Sequence, residues 1–87
     1  MINKFLVNAF GLRVRDLRTS ENLSQEQLSN KTGFHRTYIG MIERGERNIS
    51  LTNMAIFAKA FNLTIDELLK FENASELLKH YKLKSES

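Results

Sequence analysis

The chain of 87 residues has no cysteine, no proline and only 4 glycines. Without cysteine it can form neither disulfides nor cysteine-based zinc sites, which is typical of a reducing compartment, so we expect a cytoplasmic protein. The absence of proline and the scarcity of glycine favour long helices over turn-rich β structure. No apolar run approaches the ~18–20 residues that span a bilayer, and we therefore expect no membrane interaction.

Length and charge indicate the number of domains and the kind of partner that the protein binds. A chain of this length holds one domain, and we expect its core over residues 7–71 and a C-terminal extension over residues 72–87. The net charge is +3 and the sequence pI is about 9.5. Seven basic and five acidic residues lie between Arg13 and Arg47, whereas five of each follow from Lys59 onward. The basic excess in the central part is compatible with binding a polyanion.

Apolar spacing and capping residues predict three helices in the first half of the chain. The first spans roughly residues 7–19. The second starts at Ser24, which forms a capping box with Gln27, and ends at Gly33, which tolerates a left-handed conformation. The third runs from about Arg36 to Arg44. A tight turn joins the second helix to the third.

The second half of the chain predicts two further helices and a short addition. Ser50 is a good N-cap for the fourth helix, and Thr64 with Glu67 forms a second capping box for the fifth. Ser75 is a candidate cap for a short C-terminal sixth helix. No strand pattern is present. The predicted fold class is therefore all-α, with five helices and a possible sixth.

The third helix has two different faces. Ile39 and Ile42, three residues apart, form an apolar face that can pack on a core. Arg36, Thr37 and Tyr38 occupy its first turn and are free to project outward. A helix that is held by its core on one side and presents polar groups on the other can enter the major groove of DNA.

The chain resembles the Cro/C1-type (XRE-like) helix-turn-helix family of repressors. The matching residues run from Gly11 to Leu69 and include Leu17-Arg18, Leu23–Leu28, Gly33, Ile39, Ile42–Gly45 and Leu63–Leu69. Within the family, the segment from His35 to Asn48 is similar to the controller proteins of restriction–modification systems. The resemblance implies a lambda-repressor-like domain that binds double-stranded DNA as a homodimer.

Two sets of residues are candidates for DNA contacts. Arg36 can bond two acceptors of a guanine at once, Thr37 can contact a thymine methyl or a base edge, and Met41 lies one turn further along. The alternatives are a solvated position or a phosphate contact for Arg36, and a plain exposed helix position for Thr37. Gly40 allows either close approach to the groove or close packing between helices. The resemblance implies a phosphate contact for Gln25, and the other candidates for phosphate contacts are His35, Tyr38, Arg44, Arg47 and Asn48.

The phosphate candidates have alternatives as well. His35 can act only as a helix cap, the Tyr38 ring can pack on the core, and Arg44 and Arg47 can be solvated charges. The resemblance also implies a structural salt bridge between Arg18 and Glu43.

The same resemblance places a two-fold interface at the fourth and fifth helices. Ile65, Leu69 and Phe71 are the candidate residues of this dimer interface. The apolar residues of the C-terminal extension either extend the interface or cover the domain's own core.

We expect no enzyme, no metal site, no cofactor and no small-molecule ligand, because the two histidines are far apart and no nucleophile–base pair is evident. The predicted function is a sequence-specific transcriptional regulator that controls its own restriction–modification operon. The alternatives are a phage-type repressor, the antitoxin of a toxin–antitoxin pair, or a protein-bridging module on the same fold.

Overall fold

The computed structural model describes residues 2–86, which form helices and turns with no strand. The helices are α1 (Lys4–Ser20), α2 (Gln25–Thr32), α3 (Arg36–Glu43), α4 (Leu51–Ala60), α5 (Ile65–Leu68) and α6 (Ala74–Leu77). Two 3-10 turns follow at Leu78–His80 and Lys84–Glu86. The predicted all-α class with five helices and a short sixth is confirmed.

Side-chain caps define where most of the helices begin. The Ser24–Gln27 and Thr64–Glu67 capping boxes form as predicted. Helix α1 begins three residues earlier than expected, because the Asn3 side chain accepts a hydrogen bond from the Leu6 amide at 3.1 Å. An asparagine at this position satisfies one of the free amides of the first turn.

The prediction that Ser75 caps the sixth helix is wrong. Helix α6 begins at Ala74, after Asn73, so Ser75 lies inside it. Asn73 makes no capping bond with its side chain, whereas Leu77 is only 2% exposed. Burial of Leu77 rather than a cap therefore determines where this single turn lies.

The C-terminal extension packs on α1 of its own domain, and its place in a dimer interface stays a prediction. Buried Leu77 lies with Phe5 and Leu12 of α1 around a shallow cavity. The His80 ring stacks on Phe5 at 3.6 Å between centroids, and the Asn3 amide donates to the His80 carbonyl. The packed unit thus extends on both sides of the predicted range 7–71.

The main core is built from residues of α1 to α5 and includes Phe57, which is fully buried. The Phe34 and Phe10 rings lie 5.1 and 6.3 Å from the Phe57 ring between centroids. The other members of this core cluster are Val14, Leu28, Ile39, Ile42, Ala58, Ala60, Phe61 and Leu68. Because Ile39 and Ile42 belong to it, the orientation of α3 is set by hydrophobic burial.

Gly11 brings α1 and α3 into backbone contact. A Cβ at Gly11 would overlap the Ile42 carbonyl and would lie 2.7 Å from the Glu43 carbonyl oxygen. Both of these atoms belong to the backbone and cannot move without shifting α3. Glycine is therefore required at this crossing for close approach, not for an unusual backbone conformation.

Gly11→Ala should destabilise the fold by about 1–3 kcal/mol, the usual cost of overpacking, despite the better helix propensity of alanine. Chemical denaturation followed by circular dichroism measures this. Arg15→Ala, an exposed change on the same helix, is the matched control and should change stability by less than about 0.5 kcal/mol. Equal stability of Gly11→Ala and the wild type would contradict the proposed crossing.

Candidate nucleic-acid interface

Helices α2 and α3 are joined by a turn that local hydrogen bonds hold in place. Gly33 ends α2 with a φ of 83°. The Ser29 hydroxyl donates to the Phe34 carbonyl, and the Phe34 amide donates to the Thr32 hydroxyl at 3.1 Å. These local bonds fix the turn, and the Phe34 ring also anchors it on Phe57 of the core.

The first turn of α3 is exposed on the side opposite its buried face. Arg36 and Thr37 are both exposed. His35 acts as the N-cap, because its Nδ1 accepts a hydrogen bond from the Thr37 amide at 3.1 Å. A neutral ring that accepts at Nδ1 carries its proton on Nε2, which can donate elsewhere. The cap therefore occupies only one of the two ring nitrogens of His35.

An open cleft of about 260 Å³ lies where the N-terminus of α2 meets the outer face of α3. It is lined by Gln25, Arg36, Thr37, Gly40 and Arg44. The structure thus brings together four of the predicted DNA-contacting residues. Gly40 is buried beneath two of their side chains, so its role is close packing of side chains over the helix.

Glu43 connects three helices through its carboxylate. Arg18 of α1 donates to it from Nε at 2.6 Å and from Nη2 at 3.0 Å, and Gln25 of α2 donates at 3.1 Å. The Arg18 side chain is 12% exposed and the Glu43 side chain 4% exposed. Hydrogen bonding to Glu43 raises the pKa of Arg18. Arg18 also donates from Nη1 to the Leu23 carbonyl at 2.8 Å.

Tyr38 is half-buried and lies beside the cleft. Its ring packs on Phe34 with 5.0 Å between centroids, and the Arg47 guanidinium lies 5.4 Å above the ring centroid. Its hydroxyl accepts a hydrogen bond from the Asn53 amide at 3.0 Å. The phenol proton is therefore free to donate outward. Sequence patterns did not indicate Asn53, because its partner lies 15 residues away on another helix.

Arg44 forms an exposed ion pair with Glu46. Its Nε and Nη2 donate to the Glu46 carboxylate at 2.8 and 3.2 Å. These hydrogen bonds lower the pKa of the Glu46 carboxyl. Arg44 is therefore a surface charge with one acidic partner, and a phosphate contact by it stays a prediction.

Five predicted site residues lie apart from the cleft or are less exposed than expected. Met41 is half-buried, and Asn48 is exposed at the rim of a separate apolar groove. Of the dimer candidates, Leu69 is 36% exposed, whereas Ile65 and Phe71 are partly buried against the core. Phe71 and Leu69 line the same apolar groove as Asn48. The predicted interface is therefore less exposed than the sequence indicated.

Comparison with known proteins identifies the family. The helix-turn-helix family model matches residues 14–68. The chain belongs to the helix-turn-helix family. Its members are DNA-binding transcriptional regulators and not enzymes. Among residues 2–86 no helix is long and apolar enough to cross a membrane.

The similar proteins include several controllers. Control protein C.SmaI of Serratia marcescens is 54% identical over 56 residues, which are 64% of this chain and 67% of that protein. The restriction–modification controller C.AhdI of Aeromonas hydrophila shares the fold with a TM-score of 0.68 at 45% identity, over 71% of this chain and 94% of that one. The controller C.Esp1396I, solved as a tetramer in complex with its natural 35 base-pair operator, has a TM-score of 0.68 at 25% identity, over 87% and 93%.

Removing one partner of the Arg18–Glu43 pair should be costly. Arg18→Met leaves Glu43 nearly buried and without its main donor, and should destabilise the fold by about 3–5 kcal/mol. Lys31→Met, which breaks the exposed 3.7 Å pair with Glu21, should cost less than about 1 kcal/mol. Urea unfolding of both variants measures the difference. Similar midpoints for the two variants would show that the ion pair is not structural.

Proposed function

We propose that this helix-turn-helix regulator binds a palindromic operator as a homodimer and controls expression of a restriction–modification operon that includes its own gene. The observation that carries the DNA-reading part is the geometry of α3. Its Ile39 and Ile42 face is buried, and its first turn presents Arg36 and Thr37 to solvent beside a cationic cleft. A helix docked in the major groove requires this arrangement.

The residues around α3 divide between two tasks in this proposal. Arg36 and Thr37 read bases from the exposed first turn of α3, and half-buried Met41, one turn beyond Thr37, adds a base contact. Gln25, His35, Tyr38, Arg44, Arg47 and Asn48 contact the phosphates on either side. The first group determines sequence preference, whereas the second group determines register and affinity.

Two-fold symmetry supports the operator proposal. One short helix contacts only a few base pairs, and a dimer doubles the number that is read. Half-sites about one helical turn apart, ~34 Å, match two helices related by a dyad. The C.Esp1396I structure holds a tetramer on its operator. We infer that Leu69, with Ile65 and Phe71 beside it, lies at the dimer contact of this chain.

The restriction–modification role rests on the similar proteins. C.SmaI is a control protein, and C.AhdI is a restriction–modification controller. The identities are 54% over 56 residues for C.SmaI and 45% over 71% of this chain for C.AhdI. A regulator of this size can respond through its own concentration, because dimer formation and operator binding both depend on it.

Duplex DNA from upstream of the gene tests the proposal. The wild-type protein should bind it with an affinity that falls steeply with salt, since each neutralised phosphate releases counterions. It should bind a shuffled duplex of equal composition far more weakly. Equal binding to both duplexes, or a flat response to salt, would overturn the proposed function.

Arg36→Ala should remove the preference for a guanine in the operator, which corresponds to about 1–3 kcal/mol of discrimination. Fluorescence anisotropy on single-base operator variants measures this. Asn48→Ala is the matched control and should weaken binding to all variants alike, as the loss of a phosphate contact does. If Arg36→Ala keeps the wild-type base preference, Arg36 is not the base reader.

Leu69→Asp should shift the protein from dimer to monomer, because it places a charge in an apolar contact. Sedimentation equilibrium at low micromolar concentration measures the change, and circular dichroism checks the fold. Leu78→Asp makes the same change at a residue of the extension that is 66% exposed and should remain dimeric. A folded and dimeric Leu69→Asp variant would rule out this interface, and a monomeric Leu78→Asp variant would move it to the extension.

A further inference from the structure

Gly40 provides space for two side chains on the outer surface of α3. A Cβ at this glycine would lie 3.0 Å from Arg44 Nη1 and 3.6 Å from Gln25 Oε1. Both atoms are ends of side chains, and no backbone atom is among the three nearest. Gly40 therefore leaves space for the side chains of Arg44 and Gln25. Gly11 differs, because it leaves space for the backbone of another helix.

The orientation of the Gln25 amide is dictated by Glu43. The Glu43 carboxylate can only accept hydrogen bonds, and it accepts from Gln25 Nε2 at 3.1 Å. The carbonyl oxygen of Gln25 must therefore point the other way, toward Gly40 and the Arg44 guanidinium. The buried ion pair thus determines which atom of Gln25 faces the cleft.

The Arg44 guanidinium is held along one edge by Glu46. Glu46 accepts from Nε and Nη2, and the third nitrogen, Nη1, has no acceptor among residues 2–86. Nη1 is the nitrogen that lies over Gly40, in the cleft that Arg36 and Thr37 also line. An anion in this cleft can therefore be bound by Nη1 while the pair with Glu46 stays intact.

We propose that Gly40 is a positioning residue for Arg44. Because Gly40 has no side chain, the Arg44 guanidinium can lie across α3. In this position it offers Nη1 to one phosphate of the DNA backbone. The inference rests on the DNA binding proposed above and adds to it the residue that places the cation. Glu46 then acts as a support for Arg44, although its own charge repels DNA.

Gly40→Ala should change stability and binding in opposite directions. Alanine is the better helix residue, and the clash is with the end of an exposed arginine that can move away. The thermal midpoint should therefore rise by about 4–8 °C. The displaced guanidinium should lose its phosphate, which should weaken DNA binding about tenfold and lower the salt slope by about one phosphate for each protomer. A purely structural glycine would not give this combination.

The experiment is a double-mutant cycle of Gly40→Ala and Arg44→Ala on the upstream duplex described above. Dissociation constants are measured at several salt concentrations, together with thermal midpoints. Asn30→Ala, an exposed helix change on α2 away from the cleft, is the control for added stability and should leave affinity unchanged. We expect Gly40→Ala to have little further effect on affinity once Arg44 is absent.

Three outcomes would overturn the inference. The first is wild-type affinity of Gly40→Ala. The second is an equal loss with and without Arg44, which would mean that the methyl group meets the DNA itself. The third is a lowered thermal midpoint. If the wild-type protein binds no DNA, the proposed function fails instead, and the thermal data still report whether the methyl group added by Gly40→Ala is accommodated.

Discussion

The carboxylate of Glu43 is the interaction on which the rest of this structure depends. It is almost fully buried, and a buried charge is tolerated only when it is paired and hydrogen-bonded. Its donors come from Arg18 on α1 and Gln25 on α2, while Glu43 itself ends α3. The requirement to satisfy one charge therefore acts together with the burial of Ile39 and Ile42 to hold α1, α2 and α3 in a single arrangement.

This arrangement has a functional side as well as a structural one. The same carboxylate that pairs with Arg18 also orients the amide of Gln25 at the mouth of the cleft. The structural ion pair and the candidate DNA surface are thus two ends of one hydrogen-bonded network. Changes to the ion pair should be expected to affect the fold and the surface together, because Gln25 bonds directly to the paired carboxylate.

Two glycines in helices show how one residue type serves different physical purposes. Gly11 lies against backbone carbonyls of α3, which cannot move independently of the helix. Gly40 lies beneath the ends of the Gln25 and Arg44 side chains, which can move independently of the helix.

The net charge of +3 is modest, so the placement of a few cations around α3 matters more for DNA binding than their number.

The sequence by itself determined the helices, the Ser24 and Thr64 capping boxes, the left-handed Gly33 and the family, because these depend on residues close together in the chain. Only the tertiary structure decided the burial of Leu77, the bond from Asn53 to Tyr38, the Gln25 amide orientation and the role of Gly40. Each of those depends on distances between side chains on different helices or successive turns. Such distances follow from how helices pack, and periodicity along one helix carries no information about them.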